Sequence, residues 1–240
     1  MEFTHIMTEA ARAPAIALDE LAGPGDILVL APHPDDESLA MGGAIVAASQ
    51  TGRRVQVAVL TDGGRSHPNS ATHPPRVLSA LRRREVETAV RILTGGRASP
   101  IWLGYPDMAA PDDDEAFAHA AHCLEPALEK ATALWTTWHG DPHPDHQRAW
   151  RLARWIATRR PALRLFACPV WGRVQTPVEG AASDGLRRFA TDGYKRTKAK
   201  AVAAHVSQMT RLIADDPEGF LMPPELAAHF VETDEIFIPS

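Results

Sequence analysis

The stretch Asp26–Gly43, DILVLAPHPDDESLAMGG, constrains this chain more than any other. Its apolar run Ile27–Ala31 breaks off at PHPDDE, and a helix-like segment with small residues and two glycines follows. That order predicts a buried strand, a tight turn and a helix start. The turn crowds His33, Asp35, Asp36 and Glu37 at a strand's carboxyl end, the edge where open α/β sheets bind ligands. One carboxylate would suffice to complement the helix dipole. Three adjacent ones repel, and burial would raise their pKa values unless a cation neutralised them. A metal ion is the expected cation.

Further apolar runs at Val55–Leu60, Pro100–Leu103, Ala133–Trp138, Leu163–Val170 and Glu235–Ile238 read as strands. Helical segments at 38–50, 77–93 and 112–130, one ending at Ala157, and one at 195–214 separate or follow them. Strand–helix–strand order with short links predicts parallel pairing. The expected fold is α/β: a three-layer, Rossmann-like arrangement of a mostly parallel sheet with helices on both faces. It forms a single domain over 1–240, in which the Ala- and Pro-rich residues 1–25 are a mobile arm and a short lead-in helix. Residues 65–75 read as a Pro-rich loop with His67 and His73 exposed, and 176–191 as an irregular excursion.

Composition excludes some partners. A formal charge of -5 on 240 residues argues against nucleic acid. No apolar run approaches the roughly 18–20 residues that span a bilayer. The amino-terminal stretch has no signal-peptide core, so a cytoplasmic location is expected, with Met7 an alternative start. The cysteines, Cys123 and Cys168, are isolated and read as buried free thiols.

The histidines are uneven. His139, His143 and His146 fall in one short window, HGDPHPDH, directly after the fourth predicted strand. Both this turn and the first one follow buried strands, so both can point into one crevice. A catalytic zinc site wants three protein ligands and an open position, and His33, Asp36 and His146 would supply them. Asp35 beside the bound water suits a general base, and His143 a proton donor or oxyanion stabiliser. The same ligand types also occur in Fe(II) oxygenases, though usually on β-barrel scaffolds.

PHPDDE at 32–37 together with PHPDH at 142–146 resembles the signature of the PIG-L/LmbE-like family of zinc-dependent N-deacetylases, which includes N-acetylglucosaminyl-phosphatidylinositol deacetylases. The resemblance runs from about Asp26 to Gln208. It implies Zn2+ as cofactor, with Fe2+ or another divalent ion able to replace it. It implies His33, Asp36 and His146 as metal ligands, Asp35 as base and His143 as the group on the substrate carbonyl. By the same resemblance Asp145 orients and tunes His143, and Glu37 supports the metal turn. Arg82 in R-x-x-E, Asp107 in LGYPD and His205 in H-x-S-Q correspond to residues expected at the substrate. The implied activity is removal of an N-acetyl or other N-acyl group from an amino-sugar-like small molecule or glycoconjugate. A homo-oligomer is compatible with this. Two alternatives stay open: an amidase for a larger acyl or thiol conjugate, and a non-hydrolytic sugar-binding module.

Overall fold

The computed structural model describes residues 3–240, so Met1 lies outside the described residues. The chain opens with α1 (His5–Arg12) and α2 (Leu18–Ala22), then β1 (Asp26–Ala31), α3 (Asp36–Gln50), β2 (Val55–Thr61), α4 (Pro75–Leu93) and β3 (Ile101–Tyr105). It continues through α5 (Asp114–Leu128), β4 (Ala131–Thr137), α6 (Pro144–Arg159), β5 (Arg164–Cys168) and β6 (Arg187–Phe189). The last elements are α7 (Lys195–Ala203), α8 (Val206–Met209), α9 (Pro224–Glu232) and β7 (Glu235–Pro239).

Alternation along β1 decides the layering. Successive side chains of a strand point to opposite faces. Ile27 and Val29 pack with Leu39, Ala44 and Val86 of α3 and α4 in one buried cluster. Leu28 and Leu30 pack with Leu124 and Leu152 of α5 and α6 in another. Both faces are therefore buried, as the unbroken apolar run predicts. The seven strands order as β3-β2-β1-β4-β5-β7-β6. The first five are parallel, while β7 runs antiparallel to both β5 and β6. The result is a mostly parallel α/β sheet with helices around it, as expected.

That order also explains why two distant motifs meet. Chain progression runs outward from β1 to β2 and β3, then returns to β4 on the other side of β1. The reversal leaves a crevice beyond the carboxyl ends of β1 and β4, the usual ligand position in such sheets. β1 ends at Ala31, directly before PHPDDE, and β4 ends at Thr137, directly before the second histidine turn.

Several local expectations are corrected. The arm is not free: α1 buries Ile6 and Ala10, and Thr4 N donates to Arg173 O at 3.0 Å. His67 is buried against Gly219, where a Cβ would sit 2.2 Å from its ring. Cys168 is buried, but Cys123 is exposed. The long late helix is broken into α7 and α8 at His205, which leaves helical geometry with φ -82 and ψ 60. Its side chain is drawn into the core by a carboxylate of α3, described below. β6 and α9 lie where no regular element is expected.

The body of α3 is held as firmly as its ends. Glu235, at the start of β7, accepts Gly43 N at 2.6 Å, Ala44 N at 2.8 Å and Lys198 Nζ at 2.7 Å. Both charges of that ion pair are fully buried, and the added backbone bonds satisfy the carboxylate. Gly43 permits the approach, since a Cβ there would meet Thr191 Cγ2 at 2.7 Å.

Candidate active site

The two strand-end turns converge on one carboxylate oxygen. Asp36 Oδ2 lies 3.3 Å from His33 Nδ1 and 3.4 Å from His146 Nε2. Asp36 is in the first turn of α3, and His146 is in the first turn of α6. Each imidazole is held from behind by another carboxylate. His146 Nδ1 donates to Asp141 Oδ2 at 2.8 Å, and Asp141 is itself fixed by the Gly172 and Val170 amides at 2.7 and 3.0 Å. His33 Nε2 lies 3.3 Å from Asp145 Oδ2 and 3.5 Å from Asp107 Oδ1.

This arrangement orients electron pairs at one another. With its Nδ1 proton committed to Asp141, His146 presents a lone pair on Nε2, a fully buried atom without a hydrogen-bond partner. It faces the Asp36 carboxylate, so a cation is required between them. In the bare protein a proton meets the need. Burial opposes charge on His146, but Asp36 and Asp141 lift its pKa to about 9. Burial likewise opposes charge on Asp36, yet the two histidines hold it well below the usual carboxylate range.

Asp35 lies one residue away and differs in every respect. It caps α3 with φ 148, a strained conformation for a residue with a side chain. Its amide donates to Glu37 Oε2 at 3.1 Å. The other oxygen of Glu37 takes Ser38 Oγ at 2.5 Å and lies 3.0 Å from His205 Nε2. Asp35 Oδ2 accepts Arg82 Nη2 at 3.1 Å. Burial raises its pKa to about 6, with Arg82 opposing and Asp36 adding to the rise.

A cleft of about 210 Å³ opens beside them. His33, Asp35, Asp36, Arg82, Asp107 and His143 all reach it. Arg82 is anchored to the Gly63 and Pro34 carbonyls at 3.0 and 2.7 Å as well as to Asp35. His205 does not reach the cleft. It is fully buried behind Glu37, so the expected direct contact with substrate gives way to a contact that supports the turn at 32–37.

Asp145 also departs from expectation. Its carboxylate turns to His33, accepts Met108 N at 2.8 Å and pairs with Arg148 at 3.1 Å. The His143 ring packs against His33 and His146, and its one hydrogen bond among the described residues comes from the Asp145 amide, which donates to Nδ1 at 3.2 Å. At a helix start, residues two apart do not face each other. His143 is thus left with Nε2 toward the cleft. Burial and the neighbouring His33 and His146 lower its pKa to about 3, so it is neutral near pH 7.

With this geometry in hand, the matches to known proteins become informative. Residues 28–157, more than half of the chain, match the family model PIG-L: GlcNAc-PI de-N-acetylase. The chain belongs to the PIG-L family. No curated protein matches it in sequence. Among solved structures, N,N'-diacetylchitobiose deacetylase from Pyrococcus horikoshii superposes with a TM-score of 0.66 at 21% identity, covering 90% of this chain and 83% of that one. A triple mutant of a deacetylase in the teicoplanin biosynthetic pathway gives 0.67 at 18% identity, covering 89% and 97%. The 4-carboxy-2-hydroxymuconate hydratase of Pseudomonas putida gives 0.63 at 18%, covering 86% and 83%. At such identities these likenesses establish the fold, and the hydratase among them shows that the fold alone does not select amide hydrolysis.

The PIG-L chain's residues fit a divalent ion. Tetrahedral zinc with bonds of about 2.0–2.1 Å separates its ligand atoms by about 3.4 Å. That matches the 3.3 and 3.4 Å from Asp36 Oδ2 to the two imidazoles. Carboxylates on the far nitrogens of both histidines are the usual outer partners of metal ligands. Ring nitrogens of His33, His143 and His146 also cluster within 4.8 Å, so His143 is the rival third ligand. Asp36 fits better: it is buried, anionic and equidistant, whereas His143 offers only its cleft-facing Nε2.

Proposed function

We propose that this chain is a metal-dependent N-deacetylase of small amino-sugar-like substrates, with the metal on His33, Asp36 and His146. The observation that carries the reading is the convergence of two carboxylate-backed imidazoles on Asp36 Oδ2 at the floor of a cleft. A divalent ion there supplies Lewis acidity to an amide carbonyl and makes water a competent nucleophile near neutral pH. Asp35 takes the proton of the attacking water, its pKa of about 6 suiting exchange in both directions. Neutral His143 donates from Nε2 to the developing oxyanion, because Nδ1 already accepts the Asp145 amide. Asp35 then returns its proton to the departing amine. Asp107 lines the cleft, and its carboxylate, which already meets His33 and the Arg65 amide, keeps lone pairs that can accept a sugar hydroxyl. The cleft's 210 Å³ favours an acetyl group over a long acyl chain. Incubating the zinc-loaded protein with a panel of N-acetyl and long-chain N-acyl amino-sugars, with free-amine detection, tests this. Release of amine from none of them would refute it.

Asp141, absent from the sequence-based set, is the strongest support for His146. Asp141→Ala should weaken zinc binding by about 10–100-fold, measured by competition with a chromophoric chelator. Unchanged affinity would remove Asp141 from the site.

The acidic limb of the pH–rate profile follows from Asp35. A base must be ionised, and its ionised fraction falls as pH falls through its pKa. kcat/KM should therefore decline on the acid side at or below about pH 6, a bound cation pulling the limb down as Arg82 does. Arg82→Met removes a positive charge 3.1 Å away, which raises the Asp35 pKa and moves the limb to higher pH. A limb that stays in place in that variant would assign it to another group.

A further inference from the structure

A second cavity lies away from the cleft. A pocket of about 560 Å³ opens beside α6 and the β5–β7 edge of the sheet, and none of the metal-site residues lines it. Aromatic rings form one wall. His139 stacks on Trp150 with ring centroids 5.3 Å apart and meets Trp138 edge-on at 5.7 Å. Ala167 of β5 and Ile238 of β7 add apolar surface, and Ala157 of α6 lies at the margin. Two charged side chains also line it, Arg154 and Asp184. The neighbouring arginines have partners: Arg148 and Arg151 pair with Asp112, Arg160 with Glu125, and Arg159 lies over the Trp155 ring. Arg154 is exposed and has no salt-bridge partner among the described residues. A largely apolar concavity of this size with a few polar groups is the usual form of a small-molecule site.

The wall of this pocket is also the back of the metal turn. Trp138 and His139 lead directly into Gly140 and Asp141. The Trp138 ring is wedged without slack: a Cβ at Gly140 would sit 2.3 Å from it, and one at Gly172 would sit 2.7 Å from it and 2.9 Å from Asp141 Oδ1. Asp141 in turn holds His146 at 2.8 Å. A ligand pressing on Trp138 or His139 has no compliant layer to absorb the movement before it reaches Asp141.

We infer that this pocket is a second binding site, for a flat aromatic molecule carrying an anionic group, coupled to His146 through the turn 138–141. The ring lies against His139 and Trp150, the anion meets Arg154, and Asp184 accepts a donor on the ligand. Only the coupling rests on the metal reading given above.

Anilinonaphthalene sulfonate has this chemistry and serves as the probe. It is titrated into the full-length protein, zinc-loaded and chelator-stripped, reading its fluorescence and energy transfer from tryptophan. Ala157→Trp fills the margin and Arg154→Glu reverses the charge. Each should weaken binding by about tenfold or more, while leaving zinc content unchanged. Zinc should alter the probe's affinity by about fivefold or more, the lower range of measured site–site couplings. Equal probe affinity in the wild type and both variants overturns the site. Light scattering that shows a dimer, with probe binding appearing only on dissociation, overturns it too and assigns the pocket to a second copy. Equal affinity with and without zinc, in protein shown by elemental analysis to bind zinc, overturns the coupling. Failure to bind zinc at all instead refutes the deacetylase reading and leaves the variant comparison standing.

Discussion

Asp35→Asn should lower kcat by about 10²–10⁴-fold, the usual contribution of a positioned base, while zinc stoichiometry stays at the wild-type value. The substitution isolates proton chemistry from structure. Asn is isosteric with Asp, so the capping geometry at φ 148 can persist. Its side-chain oxygen can still accept the Arg82 bond that Asp35 makes at 3.1 Å. What is lost is the capacity to take a proton, together with the negative charge that faces Arg82. Turnover near that of the wild type, measured by amine release, would end the assignment of Asp35 as base.

His146→Ala should empty the site. The variant removes a nitrogen 3.4 Å from Asp36 and leaves Asp141 and Asp36 without their common imidazole. The fall in zinc affinity should exceed the about 10–100-fold loss caused by removing an outer partner, and activity should vanish with the metal. Elemental analysis after gel filtration is the decisive measurement. Full occupancy would mean that His143, whose ring nitrogen also lies within 4.8 Å of the cluster, is a ligand in its place.

The legible parts of the fold were those where one physical signal dominated. β1 and β4 are unbroken apolar runs ending in ionisable turns, so strand, edge and chemistry coincide in the sequence. The alternation of their two buried faces follows from the same runs. α9 was less legible, although Pro224 at its first turn is a helix-start signal that precedes an apolar stripe. The break between α7 and α8 could not be read from periodicity, because its cause is remote. Glu37, more than a hundred residues earlier, draws His205 out of the helix.

The site shows the same division. Two turns supplied the candidate ligands, but not the partners on their far sides. The resemblance implies that Asp145 orients His143, whereas its carboxylate faces His33 and only its backbone amide meets the His143 ring. Asp141 carries a usable signal in the sequence. A metal-binding histidine needs an acceptor on its other nitrogen, and Asp141 is a carboxylate five residues before His146, in the turn that precedes α6. Arg82 lines the cleft, and its guanidinium is also held by Asp35 and by two carbonyls in the turns after β1 and β2, partners that the pairing of those strands brings together.

The neighbouring of β1 and β4 has a kinetic corollary. Thr136 Oγ1 donates to Leu30 O across 106 residues of chain. Closing so long a loop is entropically slow to reward, and contacts of this separation govern folding rate more than stability. The histidines carried by these two strands cannot share an ion until that pairing exists. Zinc uptake during refolding should therefore track the late docking of β4 on β1, and an ion that binds only the folded chain would deepen the native state without hastening its arrival.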